Sequence, residues 1–168
     1  MTTRHKPAIL IIDDRPEEST PLQASIGKKN ATVHVRTPAE LEKGDLEKAD
    51  LVLVDYELHG WRKPPKDLTT PSNGLALSAV LRARINYLNH GSVTGVALYS
   101  GRVKEISGTL PKELRGFAVA RLNNLEWVFQ KGEPNLEQAV LSLAHAIQRL
   151  PREWPEDADE AAKQLHRL

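Results

Sequence analysis

Two short stretches of this chain decide its fold class: residues 8–14 read AILIIDD, and residues 51–55 read LVLVD. Each is a continuous run of aliphatic side chains that ends in acidic residues. A continuous apolar run of this length is typical of a strand that is buried on both faces. Such strands belong to parallel sheets covered by helices on both sides, so the two stretches predict an α/β protein.

The same alternation of strand and helix patterns continues along most of the chain. Strands are predicted at 8–12, 31–36, 51–54, 93–99 and 126–130. Helical patterns lie between them at 17–28, 74–89, 111–122 and 135–150, with a short helix or turn at 38–46. A polar, proline-rich segment, 59–73, is predicted to be a loop. This alternation predicts a doubly wound, five-stranded parallel sheet with right-handed crossovers and helices on both faces.

Length and composition suit one domain, or one domain with a short appendage. The chain has 168 residues, 40% hydrophobic and 27% charged, with a formal net charge of +1. This charge balance gives no argument for a nucleic-acid or anionic-membrane partner. The absence of cysteine excludes disulfides, thiolate metal sites and a cysteine nucleophile. No apolar run approaches a membrane span and no signal-peptide core follows the basic N-terminus, so a cytoplasmic location is expected.

The C-terminal residues differ in pattern from the rest. Pro151 and Pro155 bracket a break, and the residues after it have the composition of a separate short helix. We therefore expect residues 1–150 to form the domain and residues 151–168 to form a helical extension or linker.

Polar side chains stand where the predicted strands end. Asp13 and Asp14 follow the first strand, and Asp55 follows the third. Ser100 follows the fourth strand and Lys131 the fifth. In such sheets ligands bind beyond the carboxyl ends of the strands, so we expect these side chains to converge there. Each residue alone is also an ordinary turn residue, but the ordered combination favours a site.

This set of side chains suits a divalent cation and a phosphoryl group. Clustered carboxylates repel one another, and Mg²⁺ relieves that conflict because it prefers carboxylate, water and phosphoryl oxygens. A carboxylate can also act as a nucleophile and become an aspartyl phosphate, which makes Asp55 the expected acceptor. Asp13 and Asp14 would hold Mg²⁺. Ser100 and Lys131 would neutralise phosphoryl oxygens, with room left by the glycine that follows the serine.

These motifs resemble those of response-regulator receiver domains of two-component signalling, in a divergent form. ILIIDDRPEES resembles the family's first strand and acidic pair, and DLVLVDYELHG resembles its phosphoacceptor segment. NGLALSAVLRARI, ALYSG and FQKG resemble its third helix, fourth strand and fifth-strand lysine. The resemblance implies a CheY-like, flavodoxin-like fold of strand order 2-1-3-4-5. It also implies Mg²⁺-dependent phosphorylation of Asp55, with the backbone carbonyl of Glu57 as a further metal ligand.

The resemblance further implies a signalling switch rather than a turnover enzyme. The phosphoryl donor would be a sensor histidine kinase or a small phosphodonor. Phosphorylation would alter the surface around the fourth strand, the fourth helix and the fifth strand. That surface would bind an effector protein, an appended domain or a second copy of the chain in a homodimer. No membrane partner and no direct nucleic-acid binding are expected.

Several residues depart from the family's pattern. His59-Gly60 stands where the family usually has Pro-Gly, and residues 61–72 look inserted. Gly132 stands after the lysine, where the family usually has proline. Val128 stands three residues before the lysine, where the family has its switch aromatic; Trp127 is one residue away and falls on the opposite face of the strand. These departures keep a second hypothesis open, in which a degenerate receiver acts as a constitutive protein-interaction module.

Two further hypotheses concern the acidic residues. A phosphohydrolase of the haloacid-dehalogenase type is disfavoured, because that family separates its two aspartates by one residue, whereas Asp13 and Asp14 are adjacent. Glu57 and Arg102 occupy positions that in receivers tune the access of water to the phosphoryl group. We expect them to pair across the mouth of the site and to slow or redirect dephosphorylation; the alternative is two solvated side chains that contribute almost nothing.

Overall fold

The structure, a computed structural model, describes residues 6–29, 31–58, 71, 73–88, 93–108, 110–150 and 163. The strands in these ranges are β1 (Ala8–Ile12), β2 (Thr32–Arg36), β3 (Leu51–Asp55), β4 (Gly95–Ser100) and β5 (Trp127–Gln130). The helices are α1 (Pro16–Lys28), α2 (Lys43–Lys48), α3 (Gly74–Leu88), α4 (Val103–Ser107), α5 (Lys112–Leu122) and α6 (Leu136–Arg149). A 3₁₀ turn, Pro38–Glu40, precedes α2.

The strands form a parallel sheet of order β2-β1-β3-β4-β5. This confirms the predicted doubly wound fold. Every residue of β3 and β4 is buried, which explains why β3 carries a continuous apolar run. By contrast, β2 lies at an edge of the sheet and is only partly buried, which matches its alternating sequence.

The core has two halves, one on each face of the sheet. Because successive strand residues point to opposite faces, Val52 and Val54 pack in the half that includes side chains of α3 and α5. Leu51 and Leu53 pack in the half that includes side chains of α1 and α6. In α6, Leu141 is buried and Leu143 is only partly buried.

One helix departs from the sequence prediction, and a second forms as predicted in spite of an internal proline. The short helix α4 precedes α5, whereas the pattern predicted only the second of them; a five-residue helix is too short to show a period. In α1, Pro21 lies inside the helix, although proline removes a backbone donor. The helix continues because Ser19, Leu22 and Ile26 on one side of it are buried, so tertiary packing outweighs local propensity.

Two predicted segments fall mostly outside the described residues. Of the predicted loop 59–73, the structure describes Pro71 and Asn73, and of the predicted extension 151–168 it describes Lys163. Among the helices of the described ranges, none is long and apolar enough to span a bilayer.

Helix α3 begins directly against the backbone at the end of β3. The Gly74 N–H donates a hydrogen bond to the Tyr56 carbonyl at 2.9 Å, and the Asn73 side chain caps the helix by accepting the Ala76 N–H at 3.0 Å. A Cβ at position 74 would collide with the carbonyl oxygen of Asp55 and lie 2.8 Å from the Cα of Tyr56. Glycine is therefore required for this close approach.

We predict that Gly74→Ala lowers the free energy of unfolding by about 1–3 kcal/mol, because backbone on one side must move. Gly27→Ala in α1 is the matched control, since a Cβ there meets nothing within 4 Å. The control variant should be stabilised by up to about 1 kcal/mol. Urea unfolding of the three proteins measures the difference, and equal effects of the two substitutions would contradict the prediction.

Candidate functional site

Three carboxylates meet at the carboxyl ends of β1 and β3. Asp13, Asp14 and Asp55 each place one carboxylate oxygen within 4.8 Å of the other two. Asp13 is 0% and Asp55 1% exposed, and Asp14 is partly buried. The strand register pairs Ile12 with Val54, so the aspartates that follow these two residues stand at the same level. The convergence predicted from the sequence is therefore present for the acidic residues.

Lys131, directly after β5, reaches into this cluster. Its Nζ lies 3.0 Å from Asp55 Oδ2, 3.5 Å from Asp13 Oδ2 and 3.6 Å from Glu18 Oε2. The ammonium therefore balances part of the negative charge of the aspartates. Glu18, in the first turn of α1, joins the site although the sequence pattern does not single it out.

Asp13 is held in place by two donors from α1 and the turn before it. The Arg15 N–H donates to Oδ1 at 2.9 Å, and the Ser19 hydroxyl donates to Oδ2 at 2.6 Å. Ser19 is fully buried. Each carboxylate oxygen has a second lone pair, so these bonds orient Asp13 and leave it able to bind a cation. Ser19 could not be identified from the sequence, because which side of α1 faces Asp13 depends on how the helix packs.

Ser100 lies at the same edge of the sheet. The β3–β4 register pairs Asp55 with Tyr99, so Ser100 stands one residue beyond Asp55. Its Oγ accepts a hydrogen bond from the Arg102 N–H at 2.9 Å, which uses the oxygen and not the hydroxyl hydrogen. A Cβ at the neighbouring Gly101 would meet nothing within 4 Å, so space lies beside the serine.

Glu57 lies between two arginines at the rim of the site. Arg102 Nε is 2.6 Å from Glu57 Oε1, and Arg15 Nη2 is 3.8 Å from Glu57 Oε2. The pairing of Glu57 with Arg102 that the sequence suggested is thus present. The side chains of Arg102 and Arg15 are 53% and 43% exposed, so solvent screens these pairs and each contributes at most about 1 kcal/mol.

Tyr99 belongs to the site, although the sequence pattern does not point to it. The residue is 5% exposed and its ring centroid lies 4.9 Å from Lys131 Nζ, which is a cation–π distance. Paired residues of adjacent parallel strands point to the same face, and the register pairs Tyr99 with Asp55. Once the β3–β4 register is known from the structure, strand parity places this aromatic ring on the same face of the sheet as Asp55.

Burial and nearby charges shift the pKa values of Asp55 and Lys131, the two central groups of the site. Burial raises the pKa of the Asp55 carboxyl and the nearby Asp13 charge adds to this, while the hydrogen bond and charge of Lys131 and the Glu57 N–H oppose it. Burial acts to lower the pKa of Lys131, but its hydrogen bond to Asp55 and the charges of Asp55 and Asp13 outweigh burial and raise it. An ionised Asp55 is therefore held in the protein at an energetic cost that a cation would reduce.

No family model and no curated protein matches this chain, but solved structures do. The receiver domain of the TMAO respiratory system response regulator TorR aligns with a TM-score of 0.54 and 25% identity, over 85% of this chain and 98% of that one. The signal receiver domain of an HD domain-containing protein from Pseudomonas fluorescens Pf-5 aligns with a TM-score of 0.56 and 18% identity, over 100% and 98%. The chain has the receiver-domain fold.

A third receiver structure gives a similar alignment. The non-phosphorylated HemR receiver domain from Leptospira biflexa matches with a TM-score of 0.54 and 20% identity, over 89% of this chain and 100% of that one. The resemblance inferred from the sequence motifs is thereby confirmed at the level of the fold.

Two departures from the receiver pattern have structural explanations. Gly132, which directly follows the lysine, has φ +82°, a conformation that proline cannot adopt because its ring fixes φ near −65°. Val128, at the position of the family's switch aromatic, is buried in the core half that includes α3 and α5. Trp127 is 41% exposed. Among the described residues, the aromatic ring that lies at a cation–π distance from Lys131 is that of Tyr99 on β4.

We predict that Asp55→Asn stabilises the protein at neutral pH in metal-free buffer. Because the pKa of Asp55 is raised in the folded state, its contribution to stability is fully present below the ordinary aspartate pKa of 3.8 and is lost as the pH rises through the folded-state pKa. The substitution removes this buried charge, so it should raise the free energy of unfolding at pH 7.

Denaturant unfolding at pH 7 and at acid pH measures this gain, which should disappear where wild-type Asp55 is protonated. Glu17→Gln, at an exposed position of α1, serves as the control and should show no such gain. A lower stability of Asp55→Asn at pH 7 would contradict the prediction.

Proposed function

We propose that this chain is a phosphoacceptor receiver domain, switched by Mg²⁺-dependent phosphorylation of Asp55. One contact supports this function best: Lys131 Nζ lies 3.0 Å from Asp55 Oδ2, beside the oxygens of Asp13 and Asp14. The acceptor, cation-binding oxygens and a compensating ammonium thus stand together at the end of a receiver-fold sheet. The domain would comprise residues 1–150, with 151–168 as a C-terminal extension.

The residues of the cluster suit Mg²⁺. Their donors are carboxylate oxygens, one from each aspartate, within 4.8 Å of one another, and Mg²⁺ takes such ligands together with water. Asp13, Asp14 and Asp55 would hold the ion, and the backbone carbonyl of Glu57 would be a further ligand. When bound, Mg²⁺ neutralises charge on the phosphoryl oxygens.

The chain's own side chains supply the remaining chemistry. An Asp55 oxygen attacks the phosphorus atom of a phosphohistidine or of a small acyl phosphate, and the donor atom leaves with the bonding electron pair. Lys131, already beside Asp55, transfers its contact to a phosphoryl oxygen. The Ser100 hydroxyl donates to another phosphoryl oxygen, so both residues neutralise the transferred group.

The protein would act as a signalling switch in the cytoplasm rather than as a turnover enzyme. A sensor histidine kinase or a small phosphodonor would phosphorylate Asp55. An effector protein, an appended domain or a homodimer mate would bind the altered surface around β4, α4, α5 and β5. This surface includes the exposed aromatic residues Trp127 and Phe117, the kind of side chain that is enriched in interfaces.

A second function is favoured by two residues, one in β5 and one just after it, that depart from the family's pattern. With Val128 at the family's aromatic position and Gly132 after the lysine, the usual transmission of phosphorylation lacks its parts. A degenerate receiver that binds its partner constitutively would keep the fold without the switch. The two functions differ in whether Asp55 accepts a phosphoryl group.

We predict that acetyl phosphate and Mg²⁺ add one phosphoryl group to the chain, on Asp55. Intact-protein mass spectrometry followed by peptide mapping measures the adduct, and trifluoroberyllate with Mg²⁺ provides a stable mimic. Asp55→Asn should abolish both. Persistent absence of the adduct and of trifluoroberyllate binding in the wild type would favour the constitutive module, and rapid turnover of an aryl phosphate would indicate a phosphohydrolase instead.

We also predict that Arg102→Ala shortens the lifetime of phosphorylated Asp55. The Arg102–Glu57 pair, at 2.6 Å, would restrict the path of water to the phosphoryl group. Loss of an exposed ion pair of this strength should raise the rate of dephosphorylation about two- to fivefold. Release of phosphate from the phosphorylated protein measures the lifetime, with Lys104→Ala on the neighbouring helix as the control. Equal lifetimes for wild type and Arg102→Ala would exclude the role.

A further inference from the structure

The Lys131 ammonium has two kinds of neighbour, carboxylates and an aromatic ring. Its Nζ has three carboxylates at 3.0–3.6 Å, from Asp55, Asp13 and Glu18. It also lies 4.9 Å from the centroid of the Tyr99 ring. A lysine side chain is a flexible stem that carries a point charge. Its ammonium can therefore move among the three carboxylates. The aromatic ring restricts where it can go.

The ring of Tyr99 is rigidly placed. Tyr99 is 5% exposed and packs in the core half that includes Phe129, Leu136 and Val140. Its strand position is set by pairing with Asp55 on one side and with Phe129 on the other. A side chain that is fixed by packing and by register can serve as a support for a mobile one.

The tyrosine is neutral at physiological pH. Burial raises its pKa from the ordinary value of 10.0, and although Lys131 opposes this, the charges of Asp13, Asp55 and Glu18 add to it. The group that faces the ammonium is therefore the π face of a phenol ring and not a phenolate. A phenylalanine at this position would retain that face.

We propose that Tyr99 is a positioning residue for Lys131, whose ring keeps the ammonium beside Asp55 where it meets the transferred phosphoryl group. This role rests on the proposed function. When Mg²⁺ binds Asp13 and Asp55, those carboxylates hold Lys131 less strongly, and the ring and Glu18 remain. The ring contact would then contribute most when the metal is bound and the phosphoryl group arrives.

If Tyr99 positions Lys131, its substitution should weaken the binding of trifluoroberyllate but not of Mg²⁺. A general structural defect would weaken both. Mg²⁺ alone is bound by carboxylates and does not use Lys131, whereas trifluoroberyllate bound with Mg²⁺ does. Tyr99→Leu should therefore weaken trifluoroberyllate binding about fivefold, the size of a partly desolvated cation–π contact. Its affinity for Mg²⁺ should stay within about twofold of wild type. Tyr99→Phe should resemble wild type in both measurements.

A matched control and a double substitution make the test specific. Leu98→Ala removes side-chain volume from the same strand but in the other half of the core, at a residue that is 0% exposed; it should leave both affinities unchanged. In a Lys131→Met background, Tyr99→Leu should have no further effect on trifluoroberyllate binding. Tyr99→Ile, whose β-branched side chain suits a strand, gives the same comparison if Tyr99→Leu fails to fold.

Binding of Mg²⁺ and of trifluoroberyllate at saturating Mg²⁺ is measured by titration calorimetry on the full chain. Equal weakening of both ligands by Tyr99→Leu, or an equal effect of Leu98→Ala, would assign Tyr99 a purely structural role and overturn the inference. A full effect of Tyr99→Leu in the Lys131→Met background would overturn it as well. Failure of the wild type to bind trifluoroberyllate is a separate outcome, which removes the proposed function and this inference with it.

Discussion

The ion pair between Lys131 and the buried Asp55 is the interaction on which the rest of the site depends. Asp55 is 1% exposed, and a buried carboxylate is costly unless a counter-charge lies beside it. That counter-charge comes from the end of β5 and crosses β4 to reach β3, at 3.0 Å. The pair therefore requires three strands to end at the same level, which the parallel register provides.

Two helices support the residues around this ion pair. Gly74 allows α3 to begin against the backbone of Asp55, and Ser19 holds Asp13 from α1. These two helices lie on opposite faces of the sheet, so the site is supported from both halves of the core. Such support is what phosphoryl transfer needs, since its catalysis consists mainly of positioning and charge neutralisation.

The charged contacts of the site differ in how strongly solvent screens them. Asp13 and Asp55 are buried and the Lys131 side chain is 21% exposed, so their contacts are screened less than those of the more exposed Arg102. Glu57 and Arg102 lie at the rim, where solvent weakens the pair. On the proposed function, the chemistry would reside in Asp13, Asp55 and Lys131, while the Glu57–Arg102 pair would affect how long the phosphorylated state lasts.

The sequence by itself determined the strands, the fold class and the residues at the strand ends. A buried parallel strand has a local signature, and Asp13, Asp14, Asp55, Ser100 and Lys131 stand directly after such runs. Tertiary structure alone decided the contacts of Ser19, Glu18 and Tyr99 with the site, and the presence of the short α4. Those contacts depend on the rotation of α1 about its axis and on the register between β3 and β4. Both are set by packing between segments distant in the chain, which no local pattern records.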